Sequence, residues 1–227
     1  MVDFGGAIKR PFQDFKKLGI GAVMYMIPIV SIITSFFASG YGLECARTAM
    51  KKNYKLPEWA DWGNLWVKGF LCSLIRLIYM IPLALIGAFT IGPALIKNWI
   101  LVTAQNPDPV ALAAAFGGTA GIWWLLLLIM IATFYISFMA IMRFAESGKF
   151  GDAFNLGAVF RKAFTLKYFV TVLLLWAYTF ALMIIAFLLY IITSITFILP
   201  LIIMGFANMI LTITSMTVFG EVYSEIK

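Results

Sequence analysis

The residues through which this chain could do proton or metal chemistry are its ten carboxylates, Asp3, Asp14, Glu44, Glu58, Asp61, Asp108, Glu146, Asp152, Glu221 and Glu225. It has no histidine, which removes the commonest general base and the commonest transition-metal ligand. Glu58 and Asp61 are three apart, so on a helix they would share one face as an acid/base or metal-binding pair; carboxylates in a first helical turn also answer the helix dipole. Glu44 and Arg47, at the same spacing, read as a helix-surface ion pair. Cys45 and Cys72 stand apart with no CxxC or Cys/His spacing and read as small buried hydrophobes. The sequence contains no Walker loop, dinucleotide fingerprint, nucleophile elbow or HExxH motif. The expectation is no catalytic residue, no cofactor and no metal ligand.

The elements that must position these groups are set by the solvent they live in. The 227 residues are 63% hydrophobic and 12% charged, whereas a soluble domain has roughly 45–50% apolar and about 25% charged residues. Five apolar runs, Leu18–Ser39, Leu77–Val102, Gly121–Met142, Tyr168–Thr193 and Phe197–Phe219, each reach the roughly twenty residues a helix needs to cross hydrocarbon. Together they hold one basic residue, Lys97, and no acidic one. Because backbone polar groups in lipid must be satisfied internally, and no barrel-like alternation is present, the runs predict an all-α, polytopic transmembrane helical bundle forming one membrane domain over residues 1–227. Pro28, Pro82 and Pro93 are expected to kink or break their runs, while Pro200 falls where a missing N–H costs little.

The seventeen basic residues give the bundle a direction. They gather before residue 18, over 47–76 and over 143–167, and are missing from the loop Thr103–Ala120 and the turn Ser194–Thr196. By the positive-inside rule the two uncharged connections face out and the basic segments face the cytoplasm, which predicts a multi-pass cell-membrane protein with a cytoplasmic C-terminus. Three readings stay open for Leu18–Ser39. It is a re-entrant hairpin broken at Pro28, a crossing with an outward N-terminus, or a cleaved signal peptide ending near Ala38, Ser39 and Gly40.

Three stretches beside the spans place apolar residues at helical spacing opposite charges. The first sets Phe4, Ile8, Phe12, Phe15 and Leu18 against Lys9, Arg10, Gln13, Asp14 and Lys17. The second sets Trp59, Trp62, Trp66, Phe70 and Leu74 against Glu58, Asp61, Asn64 and Lys68, with Pro57 at its expected start. The third sets Phe150, Phe154, Phe160 and Phe164 against Lys149, Asp152, Arg161 and Lys162. Such faces suit interfacial amphipathic helices that bury rings and meet anionic headgroups with cations. The candidate lipid or partner contacts are therefore Arg47, Trp59, Asp61, Trp62, Trp66, Arg143, Asp152, Arg161 and Lys162.

Two of these stretches also match each other. Arg47-Thr48-Ala49 and Tyr54 pair with Arg143-Phe144-Ala145 and Phe150, and Asp61-x-x-Asn64-Leu65 pairs with Asp152-x-x-Asn155-Leu156, in the same order. The matches predict an internal duplication with repeat units over 1–105 and 118–227. Repetition of this kind builds transporters, but also helical bundles of any function.

Gly40-Tyr41 through Arg47, Leu56-Pro57-Glu58-Trp59-Ala60-Asp61-Trp62-Gly63, Ile78-Tyr79 and Pro82 resemble a mainly archaeal family of integral membrane proteins, the domain of unknown function numbered 4013. Arg143-Phe144-Ala145-Glu146, Phe150, Asp152-Ala153-Phe154 and Tyr168 are similar to a second block of that family. The resemblance implies a polytopic prokaryotic protein and carries no activity with it. The residues themselves leave three functional readings. The first is a membrane-embedded scaffold engaging lipid or protein at the cytoplasmic face. The second is a small uncoupled permease or channel, with the small polar residues Asn208, Thr212, Thr214, Ser215 and Thr217 either lining a path or gluing helices. The third is a lipid-modifying enzyme acting through Glu58, Asp61 and Arg47. The partners expected are the bilayer, anionic headgroups, and a protein partner or second copy; nucleic acid is not expected.

Overall fold

The computed structural model describes residues 2–26, 29–90, 92–93, 96, 99, 103, 110, 120–196 and 198–226. Pro28, Lys97, Asp108, most of the Thr103–Ala120 loop and the repeat join expected there lie outside these residues. The described residues form eight α-helices: α1 Phe4–Lys9, α2 Phe15–Met26, α3 Ser31–Met50, α4 Trp62–Thr90, α5 Ala120–Ser147, α6 Leu156–Ala163, α7 Leu166–Thr193 and α8 Ile198–Glu225, with 3-10 turns at Arg10–Gln13 and Phe150–Phe154. The fold is all-α, and four helices (α4, α5, α7 and α8) are long and apolar enough to cross a membrane.

Several carboxylates and polar residues start these helices. Asp3 accepts from the Gly6 N–H at 2.8 Å, and Asp14 accepts from the Lys16 and Lys17 N–H groups at 3.0 and 3.1 Å. Asp61, at φ 51°, accepts from the Asn64 N–H at 3.4 Å. Asn155 and Thr165 cap α6 and α7 in the same way. Each satisfies a backbone donor that the first helical turn leaves without a partner.

The chain divides into two compact units, Met1–Ile75 with Phe138–Lys227, and Arg76–Ser137. In the smaller unit the far parts of α4 and α5 run side by side and frame an apolar cavity of about 430 Å³ between Leu83, Trp123, Leu126 and Met130. α4 stays helical through Pro82, so the expected break does not occur there.

In the larger unit α8 is the central post, packed on α2, α3 and α7. The apolar run Leu18–Ser39 is not one crossing helix. It is divided between α2 and α3, which pack on each other and both on α8. Thr34 Oγ1 donates to the Met24 carbonyl at 2.6 Å across the hairpin, and Tyr25 Oη lies 3.1 Å from Thr212 Oγ1 on α8. The run is folded as a helical hairpin of α2 and α3. Its two arms are shorter in apolar length than a span, and each gains cover from α8 instead.

Close approach of backbones fixes the contacts. A Cβ on Gly40 would fall 1.9 Å from the Leu65 carbonyl oxygen, and one on Gly69 would fall 1.8 Å from that of Phe36, so α3 and α4 meet nearly backbone to backbone. Gly220 likewise brings α8 near to Ala46, whose carbonyl oxygen would lie 2.3 Å from an added Cβ. The polar residues of α8 bond mostly to their own helix: Asn208 Nδ2 to the Met204 carbonyl, Thr212 to Asn208, Ser215 to Leu211 and Thr217 to Ile213. This is packing use of small polar groups, as hydroxyls that satisfy themselves can lie against a neighbouring helix in lipid.

Arg10 departs most from expectation. The spacing placed it on the charged face of an amphipathic helix, yet its side chain is 0% exposed while Phe12 and Phe15 point outward at 45% and 69%. Its guanidinium donates to the Cys45 carbonyl (2.9 Å), Thr217 Oγ1 (2.8 Å), Thr48 Oγ1 (2.6 Å), the Lys55 carbonyl (2.9 Å) and the Asn53 carbonyl (3.4 Å). Burial lowers its pKa from the ordinary value, but an arginine remains charged at physiological pH. The cation sits against the last turn of α3, whose carbonyl end carries partial negative charge.

Two outcomes follow for stability. Arg10→Ala removes the hydrogen bonds that join the N-terminal turn to α3, the coil and α8 and should cost about 3 kcal/mol, read as earlier thermal unfolding in detergent, with Arg10→Lys recovering only part. Gly69→Ala should lower the same transition by about 1–3 kcal/mol because the helices must move apart, whereas Gly63→Ala, where nothing lies near the added carbon, should not.

Candidate functional site

One end of the larger unit collects nearly all its charge. Asp3 N–H donates to Glu221 Oε1 at 3.0 Å, Lys167 pairs with Glu225, and Lys162 Nζ donates to the Tyr223 carbonyl at 3.1 Å. The N-terminal segment, the 44–68 region, the 143–167 region and the C-terminal turns of α8 therefore share one end. The four basic residues before residue 18 lie with the others and not across the bundle from them. α8 also runs past the expected end of the last span at Phe219 to Glu225, which brings a carboxylate, Glu221, to 4% exposure.

The second amphipathic stretch begins later than expected. Residues 51–61 are not helical, α4 starts at Trp62 and not at Pro57, and it runs on into the span as one helix. Glu58 and Asp61 consequently share no helix face: Glu58 lies 2.6 Å from Lys17 Nζ, and Asp61 caps α4. Trp59 stacks on Tyr41 (4.1 Å, 8°) and donates from Nε1 to the Lys17 carbonyl at 2.9 Å. Trp62 stands edge-on to Phe37, and Trp66 edge-on to Phe36 while stacked on Phe70. The tryptophans thus clamp the coil and α4 onto the α2–α3 hairpin; only Trp62 among them keeps a largely exposed side. Burial pushes the Cys45 thiol up to about 12, so it stays protonated beside Arg10.

The third stretch is split by the 3-10 turn Phe150–Phe154 from the short helix α6. Val159 and Ala163 of α6 are buried, and Phe160 and Phe164 stack together on the outside at 5.9 Å, with Arg161 exposed. Arg143 Nε donates to the Asp152 carbonyl at 3.1 Å, so this pair closes the turn after α5. The D-x-x-N-L matches also differ in use, since Asp61 caps its helix whereas in the second copy the cap is Asn155.

Arg47, Lys51, Glu146, Lys162 and Tyr223 line a cavity of about 350 Å³. Arg47 reaches Glu44 only at 3.8 Å, because Glu44 Oε1 is held by Lys68 at 2.6 Å. Glu146 accepts from Tyr223 Oη at 2.7 Å, and Lys162 Nζ lies 3.8 Å over the Tyr223 ring. Sequence spacing named Arg47 and Lys162 but not their meeting, nor Glu146 or Tyr223; residues 47, 146, 162 and 223 share no local pattern. Among the described residues no three His, Cys, Asp or Glu side chains are gathered to hold a metal.

Burial lowers the Lys162 pKa, with Glu146 opposing the shift and Arg143 and Arg161 adding to it. Because the folded chain then holds fewer protons than the unfolded one between the lowered value and 10.5, stability should rise with pH through that window. Lys162 should accordingly be acetylated at lower pH than an ordinary lysine, and Glu146→Gln should move its labelling curve to lower pH still. Mass-spectrometric labelling across pH checks both; an unmoved curve in Glu146→Gln would contradict the geometry.

No curated protein and no solved structure matches the chain. The family model described as a protein of unknown function (DUF4013) matches residues 23–191, about three quarters of the chain from α2 through most of α7, and the chain belongs to that family.

Proposed function

We propose that this protein is a membrane-embedded scaffold whose charged end faces the cytoplasm and engages anionic headgroups or a protein bound there. The observation that carries the reading is the gathering of three sequence-distant basic segments around the C-terminal turns of α8 at one end of the larger unit. Membrane proteins keep such an excess of Lys and Arg on the cytoplasmic side, and the turn Ser194–Thr196 between α7 and α8 has none.

The lateral surface supports placement in lipid. α7 exposes Phe169, Leu173, Trp176, Phe180, Phe187 and Leu188, an apolar cover too wide for water to solvate without association. The outward aromatic pair of α6, Phe160 and Phe164, beside exposed Arg161 has the chemistry of a headgroup-layer contact. The duplication is retained within this reading on the R-x-A strings, each of which lies near the C-terminal end of a helix, α3 or α5. The enzyme reading loses support because Glu58 pairs with Lys17, Asp61 caps α4, and Arg47 lines a cavity whose walls include neither of them. The self-bonded hydroxyls of α8 likewise give a permease little to offer a solute.

Single-cysteine variants test the orientation, since both native cysteines are buried. In intact cells a membrane-impermeant maleimide should label Ser194→Cys and leave Lys149→Cys and Asp3→Cys unlabelled until the cells are permeabilised. The reverse pattern would overturn the cytoplasmic assignment. In vesicles, thermal stability should be higher with anionic than with neutral lipid, and the difference should shrink with salt as surface charges are screened.

A further inference from the structure

The cavity between the ends of α3, α5 and α8 is a polar feature of the charged end that the packing does not consume. Most charges nearby have a structural duty: Arg10 ties α3 to α8, Lys17 holds Glu58, Lys68 holds Glu44, and Lys167 holds Glu225. Around the cavity the balance is different. Three cations, Arg47, Lys51 and Lys162, face a single carboxylate, Glu146. Glu146 is committed to Tyr223 Oη at 2.7 Å, and the nearest acid to Arg47 is 3.8 Å away and already gripped by Lys68. Arg47 keeps 42% of its side chain exposed, and Lys51 is exposed at the end of α3.

A hollow lined by an excess of one charge, with protein walls in place of water, focuses its field on an ion of the opposite sign. Lys162 is fixed on the wall by the Tyr223 carbonyl and the face of its ring, so its ammonium is already oriented before anything binds. Arg47 adds a planar fork of donors suited to two oxygens of one tetrahedral anion. The volume, about 350 Å³, admits a small headgroup and not a folded chain.

We propose that this cavity is a phosphate-binding site, in which Arg47 and Lys162 take the phosphoryl oxygens and Lys51 adds charge at the mouth. The site deepens the scaffold reading and rests on it for the source of the phosphate: with the charged end in the cytoplasmic headgroup layer, the phosphate is that of an anionic lipid. A soluble phosphate would meet the same groups if the end stood clear of the bilayer.

The test uses the full chain in neutral detergent, with protection of Lys162 from acetylation as the local readout. Three probes are compared: phosphatidic acid in mixed micelles, phosphatidylcholine in mixed micelles, and inorganic phosphate. Phosphatidic acid should protect Lys162 and phosphatidylcholine should not. Arg47→Gln should weaken that protection about tenfold, the effect of losing one charge-assisted hydrogen bond. Lys149→Gln, an equal change of charge outside the cavity, should leave it as in the wild type. If Arg47→Gln fails to fold, Lys51→Gln at the exposed mouth takes its place, with a smaller loss expected. Protection by inorganic phosphate alone would keep the site and sink its lipid assignment. Protection unchanged in the variants, equal with phosphatidylcholine, or absent with every probe would overturn the site, while the orientation established by cysteine labelling would stand or fall separately.

Discussion

A guanidinium withdrawn from water must find replacements for its hydration, and Arg10 finds them in three separate parts of the chain, while its Nε has no acceptor. Its acceptors are the Cys45 carbonyl and Thr48 hydroxyl near the end of α3, the carbonyls of Asn53 and Lys55 in the coil that follows, and the Thr217 hydroxyl of α8. Because leaving one of these groups unsatisfied in a buried setting costs more than the bond gains when made, the arrangement is selective as well as stabilising. The N-terminal turn is held down, the coil is folded back over the hairpin, and α3 is set in register along α8.

With that junction in place, α8 serves as the post on which the larger unit is built. Glycine positions permit the approach: Gly205 and Gly220 of α8 lie against the carbonyls of Ala22 and Ala46, and Gly40 and Gly69 let α3 and α4 touch. In lipid there is little hydrophobic drive between helices, so close dispersion contact and hydrogen bonds carry the association. The same economy explains why α7 can leave one side bare after meeting α8. Its outer leucines and phenylalanines lose nothing by facing acyl chains.

The charged end then follows from geometry. Once α8 rises from the uncharged turn to Glu225, its last turns must meet whatever the other helices leave at that level. They meet Asp3, Lys162, Glu146 and Lys167. One of those encounters, Lys167 with Glu225, neutralises itself. The cavity beside Arg47 does not, because Lys68 has taken the acid that would have balanced it. A surplus of positive charge in a confined polar space is thus a by-product of how α3 and α4 are paired.

The class of solvent and the long helices were legible from local composition, because long apolar runs and clustered basic residues are properties of short stretches of chain. The spans starting near 121, 168 and 198 are present as α5, α7 and α8, and the family blocks around Trp59 and Arg143 lie within the matched 23–191. The sequence also named Arg47, through its spacing from Glu44 and the R-x-A match, and Lys162, on the third amphipathic face, but as unrelated groups. Only the tertiary structure decided that Arg10 is buried, that the first apolar run folds back as a hairpin, that Asp61 is a cap, and that Arg47 and Lys162 share one cavity. Helical spacing tells which residues of one segment share a side. It cannot tell which side another segment will cover, since that depends on contacts between residues some hundred or two hundred positions apart, such as Arg10 with Thr217.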